Sequence, residues 1–434
     1  MQAIQAVTGT ARDVVRSGVL AVLRIRGDDT GRLLDPAMIR DPYPTYQWMR
    51  EQGSVVVTAT ATVTAHHRLC NEVMRSPKAE TASGRLPRLF DDQPAWTQWL
   101  FGYSERPGLV QPLGPESLIG MDGAGHARLR RRVASAFTRR AIERWRPRIT
   151  AIAHELLDKA VTEPSFDLMS AYAGALPVRA ITELLGVPDV DLGRFRRWGT
   201  DVAADLDALA PAHRQRAATR ALAEMNGYFT EFLANKRVHP GDDLISDLIG
   251  EEQDGVRLDA EEITSLCILL LFAGFETTVN LIGNSVMALV RHPDQLAMVH
   301  DDPDLVPSAV EETLRWDAPV QTVSRIPTEP IEVGDTTVDA GTLITLMLGG
   351  ANRDPAVYDD PNRFDLRRPD ARRHLSFAAG PHHCLGAPLA RLEAEIALRV
   401  LLERLGDLRL AAEPKRRKTF VLRGYRQVPL VSAP

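Results

Sequence analysis

The chain is expected to fold as a mainly α protein with a minor β region, and three observations lead there. From Gly125 to about Arg291 the apolar pattern is mainly helical. Within that stretch Asp259 and Glu262 have the spacing of a capping box, and the helix they open runs through Thr264, Leu271 and Val279 toward Arg291, where Pro293 stops it. At 1.5 Å per residue such a helix is roughly 45–50 Å long, enough to cross a whole domain. The strand signals, by contrast, are short and scattered: alternation around Val55 and Val57, then Ile331–Val333, Leu343–Leu348, Phe420–Leu422 and Val428–Leu430.

The remaining elements follow in order. Residues 1–34 read as an N-terminal tail or short amphipathic helix. It holds Val14, Val15 and Val19–Leu23 among Arg12, Arg16, Arg24 and Arg26. The apolar core is too short for a signal peptide, so packing on the body is expected, with loose membrane attachment as the alternative. Residues 35–434 form the main domain. Asp41-Pro42-Tyr43-Pro44 leads into a helix from Tyr46 to Arg50. The segment from Ala82 to Gly120 is rich in Pro and Gly and carries Trp96, Trp99, Phe101 and Tyr103, a packed satellite or a binding wall. Helical signal breaks near Val238–Gly241 and Asp254–Gly255, and a further helix includes Ser308 to Arg315.

Composition narrows the function. Of 434 residues, 44% are hydrophobic and 25% charged, an ordinary globular balance with ample core material. A net charge of -5 gives no global field to recruit nucleic acid. Cys70, Cys267 and Cys384 are far apart and odd in number, so no disulfide framework is implied and a reducing cytoplasm is the simplest setting. No apolar stretch reaches the ~20 residues that span a bilayer.

The most informative segment is Phe377-Ala378-Ala379-Gly380-Pro381-His382-His383-Cys384-Leu385-Gly386. A sulfur that ligates haem iron must stand alone on a tight loop, and Gly380 and Gly386 let the backbone come close around Cys384. Pro388 belongs in the first turn of the helix that follows. The helix N-terminus favours thiolate over thiol. The string meets the pattern Phe-x-x-Gly-x-His-x-Cys-x-Gly at every fixed position, and in this the chain resembles the cytochromes P450. Ala378 stands where many members have a second glycine. Phe275–Leu281 and Arg423-Gly424 resemble soluble bacterial members, particularly actinobacterial and mycobacterial ones.

That resemblance covers nearly the whole chain from Asp41 and implies a single-domain cytochrome P450 fold holding heme b (iron protoporphyrin IX). Cys384 would be the iron ligand, with Phe377, Gly380, His382, Gly386 and Ala273 also against the cofactor. His126 and Arg130, spaced i, i+4, project together. The family match makes them, with Arg325 and His382, the contacts of the haem carboxylates, which need cationic donors. Groups from positions 126, 277, 325 and 384 must all reach one haem, so one domain is expected.

In the long helix, Ala273-Gly274-Phe275-Glu276-Thr277-Thr278 breaks an apolar run with an acid and two hydroxyls. Thr277 can bond back to the carbonyl of Ala273, which loosens and bends a helix. The resemblance makes this an oxygen-binding groove in which Glu276 and Thr277 deliver protons. Glu312 and Arg315 at i, i+3 would alone be a weak surface pair. In the family such a pair is buried and engages a second arginine, matched here to Arg363, to brace the cysteine loop.

The motifs imply a distal pocket of Phe272, Ala273, Val320, Thr322 and Leu422, mostly apolar, hence a hydrophobic substrate. The function implied is a monooxygenase that hydroxylates or epoxidises such a substrate, a polyketide or macrolide-like lipid, with fatty acid or sterol hydroxylation as the alternative. Electrons would come from a ferredoxin-type donor docking on Arg128, Arg131, Arg132, Arg139 and Arg140 with Arg372 and Arg373. A peroxide-driven enzyme is disfavoured by the intact Glu276–Thr277 pair. A zinc module on His374, His382, His383 and Cys384 lacks the usual ligand spacing. A non-catalytic haem sensor or electron carrier would leave the groove residues idle.

Overall fold

The computed structural model describes residues 2–432 except 26, 34, 59, 85–105, 107, 189–191, 208–209, 251 and 254–255. Its principal elements are labelled in chain order. Helix α1 (Gln2–Ile25) is followed by strands β1 (Val56–Val57), β2 (Thr62–Thr64) and β3 (Ala79–Thr81). Helices α2 (Gly123–Ala134), α3 (Leu192–Val202), α4 (Ala212–Val238), α5 (Ala260–Arg291) and α6 (Val306–Trp316) make up the middle. Strands β4 (Thr322–Pro327) and β5 (Ile344–Met347) precede the last long helix, α7 (Ala387–Leu405). Trp96, Trp99, Phe101 and Tyr103 lie outside the described residues.

Helix α5 is the axis. Asp259 caps it in a full capping box with Glu262, as its sequence requires. It is buried on nearly all sides because its side chains are apolar on nearly all sides. By length and composition α5 is also the one helix among the described residues that could cross a membrane, against the expectation that no apolar stretch is long enough. Most of its apolar window is buried in the fold, because α3, α4, α6 and α7 pack around it. At Gly199 of α3 an added Cβ would come within 2.6 Å of the Phe275 ring, so this glycine permits the close crossing of α3 over α5.

The main sheet runs β1-β2-β5-β4-β3. Ile344 of β5 pairs with Thr62 on one side and Arg325 on the other, and Thr81 of β3 pairs with Arg325 as well. Arg325 therefore sits on an inner strand of the sheet, β4, paired on both sides. The C-terminal Pro429–Val431 forms a strand, whereas Phe420–Leu422 contributes only an isolated bridge, Val320 to Leu422.

The N-terminal helix is 24 residues long, not short, and polar groups seat it. Arg16 is buried against Asp13 at 3.1 Å and the Ala210 carbonyl at 3.3 Å, and Asp13 accepts from the Ala212 N–H at 2.9 Å. Val14, Val15, Val22 and Ile25 are exposed.

Candidate active site

The loop before α7 is closed by one backbone bond: the Cys384 N–H donates to the Phe377 carbonyl at 2.9 Å. Gly380 has φ +71, and a Cβ there would lie 2.6 Å from the Met74 carbonyl oxygen, so only glycine fits. Ala378 keeps a left-handed φ of 57 without being glycine. Helix α7 begins at Ala387 with Pro388 in its first turn, as its sequence demands. Cys384 is exposed, whereas Cys70 and Cys267 are buried.

Two opposing effects act on the Cys384 thiol. Desolvation by the dense protein around the loop raises its pKa. The Gly386 and Ala387 N–H groups and the Arg130 and Arg391 guanidiniums pull the other way without overcoming it. The side chain nonetheless keeps exposed surface. The helix N-terminus thus favours thiolate but does not secure it alone.

Around this loop a cationic group assembles. The rings of His126 and His382 lie 4.3 Å apart. His382 Nε2 is 2.8 Å from Asp122 Oδ1, and Asp122 also accepts from the Thr81 N–H at 2.9 Å. Arg130 reaches across from α2 to donate to the His383 carbonyl at 2.6 Å. Arg325 is buried in β4 and donates to the Ser324 carbonyl at 2.9 Å. Asp122, which sequence reasoning missed, links His382 to the backbone of β3; only its position just before α2 hinted at it.

These residues fit haem. His126 Nε2 is buried without a hydrogen-bond partner among the described residues. Burial first, then His382 and Arg130, draw the His126 pKa down to about 4. A carboxylate would satisfy both that nitrogen and the neighbouring guanidiniums. A lone thiol beside several cationic donors is the donor set that a haem with two carboxylates requires.

On α5, Thr277 Oγ1 donates to the Ala273 carbonyl at 2.8 Å, the back-bond expected of it. The helix nevertheless continues unbroken from Ala260 to Arg291. Ala273 is exposed although Phe272 and Phe275 are buried. Glu276 is buried: Thr200 Oγ1 of α3 donates to its Oε1 at 2.9 Å, and Arg417 Nη1 stands 2.7 Å from its Oε2. The latter contact is close but not aligned as a hydrogen bond. Neither Thr200 nor Arg417 is signalled in the sequence. Phe272, Val320 and Leu422 belong to one apolar cluster, while Thr322 is buried at the start of β4.

Beneath the loop, Arg315 and Glu312 form a bidentate pair at 2.7 and 2.7 Å, both side chains fully buried. The second arginine is Arg368, whose Nε donates to Glu312 Oε1 at 3.2 Å, and not Arg363. Arg363 offers only its backbone carbonyl, to Arg315 at 2.9 Å and to Arg368 at 3.1 Å, because the turn there carries its side chain outward.

The basic cluster is likewise smaller than its sequence suggests. Arg132 is buried, since it shares the inward face of α2 with Leu129 and Val133. Arg128 is paired with Glu262. Arg131, Arg139, Arg140, Arg372 and Arg373 are exposed. No group of three metal-ligating side chains exists among the described residues, and His374 instead lies 3.2 Å from Glu311.

Residues 201–417 match the family model described as Cytochrome P450. The chain is 37% identical over 422 residues to the putative cytochrome P450 140 of Mycobacterium tuberculosis, covering 96% of this chain and 95% of that one. It is 41% identical over 313 residues to the 6-deoxyerythronolide B hydroxylase of Saccharopolyspora erythraea, covering 71% of this chain and 76% of the relative. Among solved structures, ligand-free CYP164A2 of Mycobacterium smegmatis superposes with a TM-score of 0.82 at 37% identity, covering 92% of this chain and 98% of that one.

Proposed function

The chain belongs to the cytochrome P450 family, and from that membership we propose that it hydroxylates or epoxidises a polyketide or macrolide-like lipid, using electrons from a ferredoxin-type donor. As a family member it is a haem-thiolate monooxygenase, an oxidoreductase whose cofactor is haem b. When bound, the haem supplies the oxidation, taking dioxygen and two electrons to place one oxygen atom on the substrate.

The chain's own residues hold, orient and protonate. Cys384 would hold the iron through its sulfur. His126, Arg130, Arg325 and His382 would hold the two carboxylates, and Phe377, Gly380 and Gly386 would frame the ligand loop. The observation that carries this reading is the Arg130 bond to the His383 carbonyl, one residue from Cys384, beside the unpartnered His126 nitrogen. Thr277 has its hydroxyl proton engaged by Ala273, so its oxygen lone pairs are left to accept a hydrogen bond in the groove. Glu276, the adjacent residue, is the acid that would feed protons to it.

Two observations support the substrate class. Phe272, Val320 and Leu422 lie in one apolar cluster, and Ala273, next to Phe272 in the chain, offers a small exposed apolar surface. The relative named 6-deoxyerythronolide B hydroxylase carries its substrate in its name. The test is a ligand panel scored by the haem spin-state shift, followed by mass spectrometry of products. A shift with macrolide-like ligands supports the proposal; one confined to fatty acids or sterols moves the enzyme to the alternative class.

The donor would dock on Arg131, Arg139 and Arg140 with Arg372 and Arg373, which are exposed and of one sign. Arg131→Glu should slow reduction and flatten its salt dependence; unchanged kinetics would remove this surface from the reading. Free thiols at Cys70 and Cys267 accord with a cytoplasmic setting, which is part of the same proposal.

A further inference from the structure

A second network lies on the cysteine side, and nothing in the function above uses it. Arg391, one turn into α7, donates through Nε to Glu311 Oε1 at 2.6 Å and through Nη2 to Glu311 Oε2 at 3.3 Å. Its guanidinium carbon stands 4.4 Å from the centre of the Phe377 ring. Phe377 in turn receives the Cys384 N–H. Glu311 is the residue before the bracing Glu312, so α6 presents two acids, one to each network.

Glu311 is fixed from its other side as well. The Ser376 N–H donates to His374 Nδ1 at 3.2 Å, which leaves the proton on Nε2, and Nε2 lies 3.2 Å from Glu311 Oε2. Burial pushes the Glu311 carboxyl up, but His374 and Arg391 outweigh it and hold it at about 2. Glu311 therefore stays ionised and keeps its arginine. Ser376 Oγ also donates to the Leu314 carbonyl, and Asn352 accepts from the Leu375 N–H at 2.7 Å, so the backbone leading into Phe377 is pinned to α6.

We propose that Arg391 is a positioning residue for electron transfer: clamped by Glu311, it stacks on Phe377 and keeps a positive charge beside the Cys384 loop, which favours the reduced state of the bound haem. Reduction adds one electron, delivered by the donor, and so one negative charge to the haem and its thiolate. A fixed cation nearby stabilises that added charge. A guanidinium does this while lying flat on a ring, which an ammonium does less well. The inference rests on Cys384 holding the haem, and it is independent of the substrate.

The experiment is spectroelectrochemical titration of the holoenzyme and its Arg391→Leu and Arg391→Lys variants, with the ferrous–CO spectrum recorded on each. The leucine variant is expected to lower the ferrous-to-ferric ratio at a fixed applied potential about tenfold, ~59 mV for one electron. The lysine variant should recover part of that shift by returning the charge. An unchanged potential in Arg391→Leu, with the red-shifted CO band of thiolate ligation intact, overturns the proposal and leaves the ligand assignment standing. If Arg391→Leu does not accumulate, Arg391→Lys and Arg391→Gln decide: equal potentials in the two refute a role for the charge. Loss of the CO band in wild-type protein would instead refute the ligand assignment.

Discussion

Arg417 Nη1 lies 2.7 Å from Glu276 Oε2, joining the C-terminal loop to the middle of the central helix. The Glu276 side chain is 2% exposed and that of Arg417 21%. The partners are therefore unequally desolvated. Removing the arginine strands a buried carboxylate, whereas removing the acid leaves a cation that can reach water. Arg417→Gln should destabilise the holoenzyme by about 3 kcal/mol and Glu276→Gln by clearly less, on the order of 1 kcal/mol. Urea denaturation measures both, and equal losses would show that the two groups are not so held.

Ala378 occupies a left-handed conformation at φ 57, next to the obligatory glycine at 380. Ala378→Gly should stabilise the loop by roughly 1 kcal/mol, because the Cβ penalty disappears. Gly380→Ala should act in the opposite direction and more severely, since its Cβ meets the Met74 carbonyl. The readouts are the unfolding midpoint and the fraction of protein that keeps a thiolate-type ferrous–CO spectrum.

Arg368, and not Arg363, is the second arginine on Glu312. Arg368→Leu leaves Glu312 with one arginine instead of two and should cost about 2 kcal/mol and reduce the yield of haem-loaded protein. Arg363→Leu removes an exposed side chain and should stay within about 0.5 kcal/mol of wild type. A large loss in Arg363→Leu would contradict the geometry.

Acid should weaken the fold through Glu311. Its carboxyl is held at about 2, against 4.5 for an ordinary glutamate, so the unfolded chain takes up the proton first as pH falls. The contribution is whole above about pH 4.5 and is lost as pH drops toward 2, a total of roughly 3 kcal/mol. Asp317, paired with Arg423 at 2.6 Å and Arg416 at 2.9 Å, is depressed in the same direction and adds to the loss. Denaturation curves at pH 5 and pH 3 should converge more closely for Glu311→Gln than for wild type.

What could be read in advance was short-range. The capping box at Asp259 and Glu262, the back-bond from Thr277 to Ala273 and the first-turn position of Pro388 all involve partners within four residues. Arg132 could have been placed too, since it shares a helical face with Leu129 and Val133. Arg368 could not, because Arg363 and Arg368 lie five residues apart in one irregular turn. Choosing between them needs the path of the chain.

The order of motifs alone thus determined the family, the mainly helical fold with its small sheet, and the cysteine that would carry the iron. Tertiary structure decided which charges meet: Asp122 with His382, Arg391 with Glu311, and Arg417 with Glu276 across 141 residues of chain. The reason is physical. Helix caps and glycine turns depend on backbone geometry within a few residues, whereas an ion pair depends only on where two distant side chains arrive once the core around α5 has packed.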